Sequence, residues 1–257
     1  MSEEMVVIER DGAVGVLRLN REAKRNALDL HMRSAIASGV TELQGEVGIK
    51  VIVITGGNEV FAAGADLNLL VDKDAQGVAD LDLGRYWAPL AQSSKPVIAA
   101  VSGFALGAGC ELAMMCDFIV ADGSARFGQP ELKVGIMPGA GGTQRLMRAV
   151  GRPMASMLLL TGDLLSGERA WQLGMVAEFC EPGQAFERAK ALARRIAAMP
   201  PLAVTATRRV LAQGGDMPLD AALALENREF LSLFDTQDQE EGMRAFLEKR
   251  TPSYIGR

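Results

Sequence analysis

Four short apolar runs, each broken off by a turn signal, do most to limit what this chain can fold into. They are Val14-Gly15-Val16-Leu17-Arg18-Leu19, Val51-Ile52-Val53-Ile54-Thr55, Val97-Ile98-Ala99-Ala100-Val101 and Phe118-Ile119-Val120-Ala121. Runs of this length, rich in β-branched residues, predict strands, and the second reads as a buried one. Segments of helical period lie between them. One starts with Asp29 as N-cap and continues through Leu43, and another runs from about Ala108 to Met115. Strands alternating with helices imply an α/β class. From about Gln184 to Lys249 the pattern turns almost wholly helical, interrupted at Pro200-Pro201, Gly214-Gly215 and Pro218. This predicts an α/β core over 1–195 and a helical C-terminal module over 196–257. The 257 residues are enough to bury a sizeable core.

Charge and cysteine usage exclude several function classes. The net charge is −5 and the pI about 5.1. A nucleic-acid footprint normally needs a basic stripe, and the local clusters here are Lys190 to Arg195 and Arg208-Arg209. Anionic small ligands remain open, because a few local cations suffice for them. Cys110, Cys116 and Cys180 show neither metal spacing nor a secreted disulfide framework, so they read as free thiols in a reducing compartment. The stretch Met1 to Arg10 holds three glutamates and one arginine and lacks an apolar signal core, and no apolar run reaches the ~18 residues of a membrane span. The expectation is a cytoplasmic protein without membrane partners. The lone His31 sits in a polar amphipathic helix, which leaves nucleophilic triads and metal centres poorly supported.

Three glycine-rich segments follow strands: Phe61 to Leu67, Gly103 to Glu111, and Phe127 to Glu131 continuing into Gly135 to Thr143. As phosphate cradles they fail. Gly142 is followed by Thr143-Gln144 rather than Lys and Ser or Thr, and after Gly107-Ala108-Gly109 the sixth position of a dinucleotide fingerprint is Leu112. Glycines for tight turns and close packing are one reading. The other is electrostatic: a small-residue loop opening a helix leaves backbone N–H groups free. Two such groups from different loops can hold a thioester oxygen as it gains enolate character. Glu111 follows one of these loops on the apolar helix Glu111-Leu112-Ala113-Met114-Met115. A carboxylate so flanked calls for a partner or a function. Glu131, beside Pro130 in another turn, reads equally as a surface loop carboxylate.

In order along the chain, these segments resemble the enoyl-CoA hydratase/isomerase (crotonase) family. Leu19-Asn20-Arg21 with Asn26-Ala27-Leu28 is similar to its first loop, and Ala63-Gly64-Ala65-Asp66-Leu67 to its first oxyanion segment. Lys95 to Val101 through Gly107-Ala108-Gly109-Cys110-Glu111-Leu112-Ala113 is similar to the second. Phe127-Gly128-Gln129-Pro130-Glu131 and Pro138 to Leu146 complete the match. The resemblance implies a spiral of ββα units with C-terminal helices at a trimer interface, as a homotrimer or dimer of trimers. It implies an acyl-CoA thioester substrate, with coenzyme A part of that substrate and no separate cofactor or metal.

Residue by residue, the resemblance implies that the N–H groups of Ala65 and Ala108 bind the thioester oxygen. Glu111 acts as base on a water attacking the β-carbon, and Glu131 protonates the α-carbon. Two carboxylates in one dry site push their pKa values apart, which suits an acid and a base at neutral pH. Ala63, Gly64, Asp66, Leu67 and Gly107 border the substrate. Lys24 and Arg25 are candidate contacts to CoA phosphates, and Phe246 and Lys249 match adenine-side contacts from a neighbouring subunit. Two positions depart from the family pattern: Glu22 replaces a proline after Arg21, and Asn68 stands where several hydratases carry lysine.

Three activities compete. An isomerase of 3-enoyl thioesters typically keeps a carboxylate matching Glu131 and lacks one matching Glu111, so the presence of both favours hydration. RNA binding, found among some relatives, is disfavoured by the acidic balance, and a silent assembly role by the glutamate pair. Short-chain 2-enoyl-CoA such as crotonyl-CoA is the expected substrate. Within the family, Phe61 to Asn68, Gly135 to Pro138 and Lys249 to Arg257 are also similar to hydratases of bacterial phenylacetate degradation that act on 2,3-dehydroadipyl-CoA. Such a substrate would want a cation at the far end of the acyl pocket; the expected pocket wall, Leu69 to Trp87, includes Lys73 and Arg85, and the sequence orients neither.

Overall fold

The computed structural model describes residues 4–257, so Met1 to Glu3 of the acidic N-terminal stretch lie outside the described residues. Strands β1 (Val6–Asp11) and β2 (Val14–Leu19) form an antiparallel hairpin, with Val6 opposite Leu19. Helix α1 (Leu30–Gly45) follows, and the Asp29 side chain accepts from Met32 N at 2.8 Å as the sequence predicts. Next come β3 (Val51–Thr55), β4 (Val60–Ala62), and the short helices α2 (Ala75–Ala79) and α3 (Ala88–Ala91). A second turn of the same kind holds β5 (Val97–Val101), β6 (Phe104–Leu106) and α4 (Ala108–Met115). A third opens with β7 (Phe118–Asp122) and β8 (Arg126–Gly128) and leads to α5 (Gly142–Val150) and α6 (Arg152–Thr161). Then follow β9 (Leu165–Ser166), α7 (Gly167–Gln172), β10 (Glu178–Cys180) and α8 (Ala185–Ala197). The chain ends in α9 (Pro201–Gly214), α10 (Leu219–Leu233) and α11 (Gln237–Leu247).

Each turn contributes one strand to each of two sheets. The larger sheet has the order β1-β2-β3-β5-β7-β10 and the smaller β4-β6-β8-β9. Pairing is parallel from β2 through β10, with Ile54 opposite Ala99 and Val101 opposite Ala121. The small sheet is parallel across β4, β6 and β8, with β9 antiparallel at its edge. This is the α/β spiral of ββα units expected from the sequence. Among the described residues, no helix is long and apolar enough to cross a membrane.

The runs Val51 to Thr55, Val97 to Val101 and Phe118 to Ala121 are charge-free because both faces of the large sheet are covered there. Ile52, Ile54, Ala99 and Val101 face a core shared with the small sheet, α1 and α4. Val51, Val53, Ile98, Ala100 and Val120 face α8, which meets them with Ala189, Ala193 and Ala197. The four-residue spacing of these alanines puts them on one face, and their small size lets the helix lie close against the sheet. The expected core boundary at residue 195 falls inside the last turn of α8, before the chain leaves the sheet.

Between the two sheets the fit is tight at glycines. Helix α4 crosses β4 at Gly109, where an added Cβ would lie 2.2 Å from Ala62 O and 2.7 Å from Ala62 Cβ. Backbone cannot yield there without moving the helix that follows the second glycine-rich loop. Gly109→Ala is expected to lower the melting temperature by about 2–10 °C, measured by differential scanning calorimetry. A melting temperature equal to wild type would show that α4 shifts freely against β4.

Candidate active site

The segments leaving β4, β6 and β8 converge on one spot. The first, after β4, passes through Gly64 at φ +111°, a conformation that needs glycine. Leu28 N donates to Gly64 O (2.8 Å), Asp66 N donates to Leu28 O (3.4 Å), and Leu28 and Ala65 form an isolated parallel bridge. Arg21 fixes this segment with an ion pair to Asp29 (2.9 Å), a longer one to Asp66 (3.4 Å), and a bond from Nη1 to Ala27 O (2.9 Å). Buried Asn26 adds bonds from Nδ2 to Val60 O and Phe61 O. Ala65 N is left without an acceptor among the described residues.

The second segment leaves β6 through Gly107, at φ +49° and ψ −124°, whose N–H donates to Gly128 O (2.9 Å). Ala108 then opens α4, so its N–H has no intrahelical acceptor, and the helix dipole favours negative charge there. The two loops touch: a Cβ on Gly64 would lie 3.0 Å from Leu106 O and 3.9 Å from Ala108 N. Two unsatisfied N–H donors therefore meet from different loops, an arrangement able to hold an oxygen that gains charge.

Glu111 stands one turn into α4 with 2% of its surface exposed. Its Oε1 accepts from Ala140 N (2.8 Å) and Gly142 N (2.7 Å), both belonging to the turn that opens α5. Oε2 takes no bond from the described residues, which leaves it for a ligand. Burial pushes this carboxyl above its ordinary range, opposed by the two N–H bonds and by the charges of Arg33 and Arg145. Arg145 also donates from Nη1 to Ala140 O (2.8 Å), bracing the loop that holds the carboxylate.

Glu131 begins a short 3-10 turn after β8 and is half-buried, in place of the surface position that its loop context also allowed. A Cβ on Gly107 would lie 2.9 Å from its Oε1, which puts the carboxylate directly over the segment that leaves β6. Its pKa is raised to about 7, mainly by burial and further by the like charge of Glu111, with its own backbone N–H opposing. Gln129, fully buried, supports it: with the amide oriented to suit its neighbours, the side-chain nitrogen donates to Glu131 Oε1 (2.9 Å) and Oε2 (3.3 Å). Cys110 lies under this amide, and burial lifts its thiol to about 12, far from nucleophilic range.

The other expected site residues scatter. Ala63 N bonds Arg25 O (3.0 Å), so Lys24 and Arg25 sit at the edge of the first segment, exposed and without ion-pair partners among the described residues. Asp66 serves the loop itself: its Oδ1 accepts from Asn68 N and Nδ2, and the latter bond holds its carboxyl below the usual range. Leu67 is exposed beside it. Phe246 is 81% exposed at the end of α11, with Lys249 on the surface just beyond at φ +56°. Sequence reasoning assigned no role to Arg21, Asn26, Gln129 or the Ala140 and Gly142 N–H groups. The available signal was a glutamine between Gly128 and Pro130, a polar side chain where the chain stays buried. Among the described residues no group of three His, Cys, Asp or Glu is placed to hold a metal ion.

The Enoyl-CoA hydratase/isomerase family profile matches residues 9–257. The chain is 44% identical over 257 residues to the 2,3-dehydroadipyl-CoA hydratase of Escherichia coli K12, covering all of both chains. It is 40% identical over 260 residues to the crotonyl-CoA hydratase of Syntrophomonas wolfei, again covering all of both. Among solved structures it superposes on an enoyl-CoA hydratase subunit from Geobacillus kaustophilus with a TM-score of 0.95, at 40% identity and 98% of each chain. The chain belongs to the enoyl-CoA hydratase/isomerase family.

The titration of Glu131 checks the site's electrostatics. Its side-chain carboxyl, followed by carbon-13 NMR against a Glu131→Gln reference, is expected to titrate at about 7. Glu111→Gln removes the like charge and should lower that value, while burial keeps it above the ordinary carboxylate range. Titration in the ordinary range in both proteins would contradict this account.

Proposed function

We infer that this member of the enoyl-CoA hydratase/isomerase family is an enoyl-CoA hydratase, adding water reversibly across the 2,3 double bond of a 2-enoyl-CoA to give a 3-hydroxyacyl-CoA. The observation that carries this reading is the pair of unequal carboxylates beside two free N–H groups. Glu111 has its anion supported by two backbone donors from another loop, whereas at Glu131 burial outweighs the donors and the proton is held up to about 7.

In this reading Ala65 N and Ala108 N bind the thioester oxygen. Water lies between Glu111 and Glu131, and Glu111 takes its proton as the oxygen bonds to the β-carbon. The alkene electron pair moves toward the thioester, whose oxygen gains charge against the N–H pair. Glu131 gives its proton to the α-carbon, and an incoming water relays the proton from Glu111 back to Glu131. An isomerase needs only the shuttle at Glu131, so a buried, doubly anchored Glu111 favours hydration.

Coenzyme A arrives with the substrate and the chemistry asks for no other cofactor. Lys24 and Arg25 are free to meet its phosphates, with Ala63, Gly64, Asp66, Leu67 and Gly107 along the path to the reacting atoms. The acyl group is short, either simple as crotonyl or ending in a carboxylate, as the names of the two relatives suggest. Exposed Leu219, Phe230, Leu231, Phe246 and Leu247 on α10 and α11 fit a homotrimer, alone or paired, in which Phe246 and Lys249 reach a neighbour's CoA. Three free cysteines, all with thiols raised above ordinary values by burial, fit a cytoplasmic setting.

Hydration of crotonyl-CoA is read by the loss of the enoyl thioester's ultraviolet absorbance. Glu111→Gln should reduce kcat by about 10²–10⁴-fold. Hydration near the wild-type rate in that variant would sink the two-glutamate mechanism.

A further inference from the structure

We propose that Arg33 and the indole of Trp87 form the far end of the acyl pocket and select a 2-enoyl-CoA whose chain ends in a carboxylate. The proposal rests on the hydratase reading and names the substrate class for that same site.

Arg33 is a buried cation that the described residues leave unpaired. It projects from α1 with 2% exposure, and its guanidinium lies over the Trp87 ring at 4.9 Å from the centroid. Nε donates to Leu28 O (3.1 Å), while the two terminal nitrogens have no hydrogen bond or ion pair among the described residues. Other well-buried arginines differ, since Arg21 pairs with Asp29 and Asp66, and Arg208 with Asp117. Trp87, itself 6% exposed, has its Nε1 hydrogen unpartnered as well. Two sets of unmet donors thus occupy one stacked pair. Burying a charge without a partner is expensive, and the aromatic face offsets only part of that cost.

Among the described residues no acceptor closes the pair. The charges that bear on Arg33 come from Glu111, Asp29 and Tyr86. Asp29 is committed to Arg21 and to the N-terminus of α1, the Tyr86 hydroxyl accepts from Arg85, and Glu111 places Oε1 on the Ala140 and Gly142 N–H groups while its open Oε2 makes no bond to Arg33. The acceptor that fits two parallel guanidinium donors is a carboxylate from outside.

Position points to where that carboxylate comes from. The carbonyl held by Arg33 belongs to Leu28, the residue bridged to Ala65, so Arg33 borders the first oxyanion segment. Its charge also reaches Glu111. An acyl chain with its thioester oxygen at Ala65 and Ala108, and its β-carbon beside the glutamates, has three further carbons to place if it is a six-carbon diacid. The terminal carboxylate of such a chain meets the guanidinium, and the indole N–H supplies a third donor.

The test compares kcat/KM for 2,3-dehydroadipyl-CoA and 2-hexenoyl-CoA, which have equal chain length and differ in the terminal carboxylate. Wild type should favour the diacid. Arg33→Met should lower the ratio of the two efficiencies by about 30-fold or more, Arg33→Lys should recover part of it, and Trp87→Phe should lower it roughly 3–10-fold. An equal fall for both substrates in Arg33→Met would assign Arg33 to the electrostatics of Glu111 and overturn the proposal, as would a wild type that prefers 2-hexenoyl-CoA. Calorimetric binding of saturated adipyl-CoA against hexanoyl-CoA separates this from the hydratase reading. Tighter, Arg33-dependent binding of adipyl-CoA without turnover of either enoyl thioester upholds the carboxylate site and refutes hydration. Equal binding with good turnover of 2-hexenoyl-CoA does the reverse.

Discussion

The bond of Glu111 to the N–H groups that open α5 is the contact on which the rest of the site depends. An ionised carboxylate inside protein needs donors, and here they come from backbone some thirty residues further along the chain. That need draws the Pro138 to Gly142 turn down onto α4 and so sets the distance between the second and third ββα turns. It also leaves the other carboxylate oxygen unengaged. The same group that locks two helices together is thereby presented to a ligand in one orientation, with no side-chain entropy left to lose.

The spiral supplies the other condition. Each turn sends its first strand into the large sheet and its second into the small one, so the segments after β4, β6 and β8 end side by side. Glycine is required where those segments bend, at Gly64 and Gly107, and where α4 presses on β4, at Gly109. Within that frame, burial rather than a specific base raises Glu131, and the neighbouring negative charge raises it further. One carboxyl anchored by donors from a distant loop and another whose burial outweighs its donors give two protonation states from one residue type.

How legible this was in the sequence depended on which force fixed each residue. The apolar strands and the α1 N-cap could be read because local composition determines them. Glu111 could be read because a charge in an apolar helix violates the surrounding pattern. Glu131 could not, since its burial is imposed by Gly107 and Gln129, which only the tertiary fold brings near. Arg33 was missed for a similar reason: it lies in a helix with many polar residues, and nothing local distinguishes a solvated arginine from one turned inward onto Trp87.

The two donors at Ala65 and Ala108 belong to the main chain, and this gives the two halves of the site different evolutionary fates. Replacing either alanine's side chain leaves its N–H in place, with proline the one residue that deletes it. Each glutamate, by contrast, is a single codon away from losing its chemistry. In the proposed mechanism thioester capture is therefore inherited with the fold itself, whereas the reaction performed on the captured group is free to drift. A lineage built on this backbone would diversify in what it does to an acyl-CoA long before it stopped recognising one.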